Sequence, residues 1–186
     1  MNGFEKGLFK YRDELVSQLR GEVLEVGSGT GINFIHYHKD ARVTALEPSG
    51  EMIKVSSRKK CNCSNITYLQ MSITDNDLNN HLHDHSFDFI ISTLVLCTVP
   101  DPEKAISNYR RLLKPGGKLV VLEHIHSISK RDRRLQNLVN PFWKAFSEGC
   151  NLNRQTDKLL IETGFMPVNQ KYFVKTLRWV KGVYEA

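Results

Sequence analysis

The chain has 186 residues, 40% of them hydrophobic and 25% charged, with a formal charge of +6 and an isoelectric point near 9.2. This length and balance predict one globular domain with a sizeable core, and they exclude a disordered or low-complexity chain. No stretch approaches the roughly 18 apolar residues of a membrane span, and Met1 to Lys10 lacks the apolar centre of a signal peptide. The expectation is a cytoplasmic protein with reduced thiols. Its cysteines, Cys61, Cys63, Cys97 and Cys150, contain no C-x-x-C pair and otherwise lie far apart in the chain, so neither a zinc site nor a disulfide framework is expected. Cys61-Asn62-Cys63 is spaced too tightly for an easy internal bridge. The basic excess is partly local, at Lys114, Lys118, Lys130, Arg131, Arg133 and Arg134, and reads as a solvated surface; no nucleic-acid partner is expected.

In chain order, Phe4, Leu8, Tyr11, Leu15, Val16 and Leu19 recur at helical spacing and predict an amphipathic helix over residues 4–20, stopped by Gly21. It serves either as a lid on a ligand cleft or as plain packing. The run from Val23 then reads as a buried parallel strand, apolar on both faces. It breaks into Gly27-Ser28-Gly29-Thr30-Gly31, where glycine lets the backbone turn sharply and brings main-chain N–H groups close to a ligand. A second strand, Arg42 to Glu47, ends on an acid twenty positions after Gly27, suited to accept both hydroxyls of a ribose. Together these features predict a nucleoside-containing cofactor. The dinucleotide fingerprint is not met, because Ile32 stands where its last glycine belongs. Glu25, two residues before the first glycine, would repel a pyrophosphate and suits a cationic amino group instead.

This acid-x-Gly-x-Gly-x-Gly pattern closely resembles the first motif of the class I S-adenosylmethionine-dependent methyltransferases. The resemblance implies S-adenosylmethionine as cofactor, S-adenosylhomocysteine as product, and a Rossmann-like α/β fold. That fold has a seven-stranded, mostly parallel sheet, helices on both faces and an antiparallel terminal strand. A short helix is expected over 32–39 and another from Ser49 to about Lys59, opened by Pro48. Ile66 to Gln70 reads as the third strand, followed by Met71-Ser72-Ile73 where the family flanks the adenine. Many members place an aspartate there; this chain has Ser72, with Asp75 three residues on. The polar run Thr74 to His85, with His81, His83 and His85, reads as a solvated loop rather than a metal site.

Phe87 to Ser92 is the fourth strand, Pro102 to Leu113 a helix, Lys114-Pro115-Gly116-Gly117 a tight turn, and Lys118 to Glu123 the fifth strand. These words extend the resemblance from Val23 to His124. Residues 124–153 form a cap insert, Thr156 to Thr163 a helix, and Phe165 to Phe173 and Thr176 to Glu185 an antiparallel pair closing the sheet. One domain spans 1–186.

Several words narrow the resemblance: Ser92-Thr93-Leu94-Val95-Leu96-Cys97-Thr98-Val99, Glu123-His124, Asn140-Pro141-Phe142-Trp143, and Glu148-Gly149-Cys150-Asn151-Leu152-Asn153-Arg154. They look like the microsomal alkyl-thiol S-methyltransferases, whose N-terminal membrane anchor is not read here. The ubiquinone and menaquinone C-methyltransferases and phospholipid N-methyltransferases are similar more distantly. The implied activity is methyl transfer to a small-molecule acceptor, a thiol first. Methylation of a quinol precursor or phospholipid headgroup, and a non-catalytic cofactor-binding module, are the alternatives. Methylation of a nucleic-acid amine is disfavoured, since Ser92-Thr93-Leu94-Val95 stands where an Asn/Asp-Pro-Pro-aromatic signature would be.

On this reading Glu25, Gly27, Ser28, Gly29 and Asn33 take the methionine end of the cofactor and Glu47 the ribose. Pro48, Ser49 and Met52 line its edge, Met71, Ser72 and Ile73 flank the adenine, and Thr93, Leu94 and Val95 pass beside the sulfonium. His124, at the carboxyl end of a parallel strand, is the candidate general base, or else a hydrogen-bond partner of the cap loop. Cys97, Asn140, Trp143 and Cys150 are placed on the acceptor side, the cysteines as small packing residues rather than nucleophiles. No metal is expected.

Overall fold

The computed structural model describes residues 7–147 and 149–186. Seven strands form one sheet: β1 (Gly21–Val26), β2 (Ala41–Leu46), β3 (Asn65–Leu69), β4 (Phe87–Thr93), β5 (Leu113–Ile125), β6 (Met166–Val174) and β7 (Arg178–Glu185). Their spatial order is β3-β2-β1-β4-β5-β7-β6. The first five run parallel, with β7 antiparallel to β5 and β6 antiparallel to β7. The chain starts in the middle at β1, walks outward to β3 and returns to β4, so a crevice opens where the order reverses.

The residue alternation of the central strands fixes which face each side chain serves. Leu24, Val26, Ile90, Leu119 and Val121 pack beneath α3 (Pro102–Leu112) and α5 (Thr156–Glu162), against Ile106, Tyr109 and Leu160. Val23, Val43, Ile91 and Val120 face the other way, against Val16 and Leu19 at the end of α1 (Phe9–Val16) and against Phe34 and Tyr37. Both faces are therefore covered, as a parallel sheet demands. Side-chain caps hold three helix starts. Ser49 accepts from the Met52 amide ahead of α2 (Gly50–Ser56), Asp101 from Lys104 ahead of α3, and Ser129 from Asp132 ahead of α4 (Lys130–Phe146).

Several expectations change. The first helix covers only Phe9–Val16, and the part of the prediction on residues 1–6 lies outside the described residues. The helix expected over 32–39 shrinks to one 3-10 turn, Phe34–His36, because Gly31 precedes it at φ +72° and Tyr37 is already extended. Cys61 and Cys63 are joined in a disulfide despite their spacing, so these two thiols are not reduced in this structure. The cap insert is dominated by the 17-residue α4, which runs through Pro141. Its polar side packs inward through Gln136, while Leu135, Leu138, Phe142 and Phe146 are exposed.

Candidate active site

A cavity of about 840 Å³ lies across the carboxyl ends of β3, β2, β1 and β4, at the crevice. In sheet order its walls are Met71, Ser72 and Ile73 after β3, and Glu47, Pro48, Ser49 and Met52 after β2. Gly27, Ser28, Gly29 and Asn33 follow β1, and Thr93, Leu94 and Val95 close β4. Glu25, inside β1, completes it. The turn after β1 needs its glycines: Gly27, Gly29 and Gly31 all have positive φ. A Cβ on Gly27 would stand 2.7 Å from Val95 Cγ2, so a side chain there would close the space between β1 and β4.

Two carboxylates dominate this cavity. Glu25 is buried, and it accepts from Asn33 Nδ2 at 2.9 Å and from the Tyr37 hydroxyl at 2.7 Å. Burial outweighs both donors and pushes its carboxyl up to about 7. Arg12 of α1 reaches the same spot, donating to Asn33 Oδ1 at 2.7 Å and to Thr93 Oγ1 at 3.1 Å. Glu47 accepts from the Gly29 amide at 2.9 Å and the Ser49 amide at 3.0 Å, one bond to each oxygen. A carboxylate offers about four lone-pair sites, so each oxygen keeps capacity for a ligand hydroxyl.

A third acid, Glu123 at the end of β5, organises the far wall. It is fully buried and accepts from the amides of Val95 (2.8 Å), Leu96 (2.9 Å) and Cys97 (3.3 Å). This bond set pins the loop after β4, and Thr98, Val99 and Pro100 of that loop also line the cavity.

His124 follows Glu123 and is buried, but it does not line the cavity. Its Nε2 lies 2.8 Å from Cys150 Sγ, and Cys150 Sγ lies 3.8 Å from Cys97 Sγ. The Cys97 hydrogen bond, followed by His124, holds the Cys150 thiol well below its ordinary range, while the same bond and burial push Cys97 up. Neither cysteine lines the cavity, nor do Asn140 and Trp143. The Asn140 side chain instead accepts from the Leu152 amide at 2.7 Å, and Trp143 is 42% exposed. Lys144, Ser147 and Gly149 of the cap, with Arg154 just after it, line the cavity in their place.

Sequence reasoning missed Arg12, Tyr37 and these four residues. A single arginine on an amphipathic helix reads as solvent-facing. The tyrosine is recoverable only from the geometry that returns it beneath Glu25.

An open, mostly parallel sheet with a glycine turn, an acid ending β2 and a crevice at the reversal point defines a Rossmann-like nucleoside-cofactor enzyme. Residues 24–121 match the methyltransferase domain family. Human thiol S-methyltransferase TMT1B is 32% identical over 176 residues, covering 90% of this chain and 72% of the human protein. Human thiol S-methyltransferase TMT1A is 29% identical over 158 residues, covering 84% of this chain and 65% of that protein. Among solved structures, a SAM-dependent methyltransferase from Methanosarcina mazei superposes with a TM-score of 0.67 at 21% identity, covering 90% of this chain and 93% of the other. The chain belongs to the S-adenosylmethionine-dependent methyltransferases of the methyltransferase domain family. S-adenosylmethionine is its cofactor, and transfer of its methyl group is its reaction.

Proposed function

We propose that the protein methylates the sulfur of a small thiol, with S-adenosylmethionine bound across the four strand ends. The observation that supports the cofactor pose is the pair Glu25 and Glu47. Glu25 would take the cationic amino group of the methionine end, beside Asn33 and the Gly27-Ser28-Gly29 turn. Glu47 would take the ribose hydroxyls with its free lone pairs, Pro48, Ser49 and Met52 lining that edge. Met71, Ser72 and Ile73 would flank the adenine, and Thr93, Leu94 and Val95 would pass beside the sulfonium.

The acceptor would enter between the loop Thr98–Pro100 and the cap residues Lys144, Ser147 and Gly149. The support for a thiol is the similarity to the two thiol S-methyltransferases. Transfer is an in-line displacement at the methyl carbon; the cofactor supplies the reactive group and the protein supplies alignment. A thiol of low pKa is already partly thiolate near neutral pH, so for such an acceptor a base is useful but not obligatory. This suits a cavity that His124 does not reach. A base role for His124 would run through Cys150, and Cys97, Asn140 and Trp143 would shape the acceptor side from behind the wall.

The test is transfer of labelled methyl to a panel of small alkyl thiols, phenols, quinol precursors and ethanolamine lipids. Turnover on thiols supports the reading. Turnover confined to a quinol or lipid would keep the cofactor site and overturn the acceptor.

A further inference from the structure

We propose that Cys97, Cys150 and His124 are the three protein ligands of a site for one zinc-class divalent cation. Their donor atoms, Cys97 Sγ, Cys150 Sγ and one ring nitrogen of His124, all lie within 4.8 Å of one another. Among the described residues this is the one such group of histidine, cysteine and carboxylate side chains.

The sulfur–sulfur spacing is what a tetrahedral ion requires. With Zn–S about 2.3 Å and Zn–N about 2.0–2.1 Å, tetrahedral angles set S···S at about 3.8 Å and S···N at about 3.5 Å. The two sulfurs stand 3.8 Å apart. His124 Nε2 is 2.8 Å from Cys150 Sγ, so the ring must back away by about 0.7 Å to admit the ion. A disulfide would instead need the sulfurs to close to about 2.0 Å.

Three separate segments hold the donors in place. Glu123 accepts the Cys97 amide, while the Asn151 amide (2.8 Å) and side chain (3.1 Å) both donate to the Cys97 carbonyl. The segments carrying the two cysteines are thereby tied together. The Cys150 amide is bonded to the Ser147 carbonyl at 3.0 Å. His124 sits in the β5–β7 ladder opposite Trp179, whose ring meets it edge-on at 5.8 Å. The charges close as well: two thiolates neutralise a dication, with the thiol protons leaving to solvent. Three protein ligands leave a fourth position, and Cys150 is only half-buried, so water or an exogenous thiolate can occupy it. The site rests on ligand geometry alone and does not depend on which acceptor is methylated.

The test uses the reduced, desalted full chain in a Cys61→Ser/Cys63→Ser background, which removes the other two thiols. Cobalt(II) is titrated in, then displaced by zinc. The expected result is one equivalent bound with thiolate-to-cobalt charge-transfer absorption. Cys97→Ser, Cys150→Ser and His124→Ala should each weaken binding by more than the roughly 10- to 100-fold that changes outside the ligand set cost. Zinc should also protect both thiols from alkylation in the variant-free site, read by peptide mass, a measurement independent of whether the ligand variants fold. Absence of the charge-transfer band, full affinity in Cys97→Ser/Cys150→Ser, or alkylation that zinc does not slow would each overturn the site.

Discussion

The Tyr37 hydroxyl donates to Glu25 Oε2 at 2.7 Å, so a residue just past the glycine turn holds the acid that opens onto the cavity. That carboxyl is buried with two neutral donors, and its proton affinity is set by burial against those bonds. A cationic ligand group would tip the balance toward the ionised form.

Cofactor affinity should therefore depend on pH through Glu25. With the carboxyl at about 7 in the ligand-free protein, affinity for S-adenosylhomocysteine should rise with pH up to about 7 and then level off. Below that point each pH unit should cost up to about tenfold. Stability of the ligand-free protein should run the other way. Between 4.5 and about 7 the native state keeps a proton that the unfolded chain has released, so stability falls as pH rises through this window, by about 3 kcal/mol in all. Calorimetric titrations from pH 5.5 to 8 check the first trend, and melts without ligand check the second.

Tyr37→Phe removes one of the two donors that favour the ionised form. The affinity curve should move to higher pH, and at neutral pH binding should weaken by about 1–3 kcal/mol. Repeating the same titration on the variant tests this; an unmoved curve would mean the hydroxyl has no hold on Glu25.

Glu123→Ala should be the most damaging single change near the site. It strands the Val95, Leu96 and Cys97 amides in the interior, at about 3 kcal/mol or more together. For a domain of this size that corresponds to a melting temperature lower by roughly 6 to 12 °C. Glu123→Gln keeps one acceptor oxygen and should recover part of the loss.

Gly27→Ala forces a methyl group to 2.7 Å from Val95 in a backbone conformation at φ +61°. Strain of about 1–3 kcal/mol is expected, together with loss of cofactor binding, because both residues wall the cavity. Melts and S-adenosylhomocysteine binding, measured on one preparation, separate the two effects.

The sheet was legible because its signals are local. Apolar runs, the glycine turn and the acid ending β2 announce themselves within a few residues, and every residue read toward the cofactor lines the cavity. Among the site residues, what was missed depended on long-range return of the chain. Arg12 crosses to Asn33 and Thr93, residues 21 and 81 positions away. Cys97 meets Cys150 across 53. Cysteine spacing along the chain likewise did not show that the topology brings two cysteines and His124 together.

The most direct measurement of the central claim is calorimetric binding of S-adenosylhomocysteine to wild type and Glu47→Gln. The variant keeps side-chain size but loses the charge and one acceptor for the ribose hydroxyls. The account predicts affinity at least about tenfold weaker, the loss of one charge-assisted hydrogen bond. Equal affinity in the two proteins would contradict it, and would place the cofactor somewhere other than across Glu25 and Glu47.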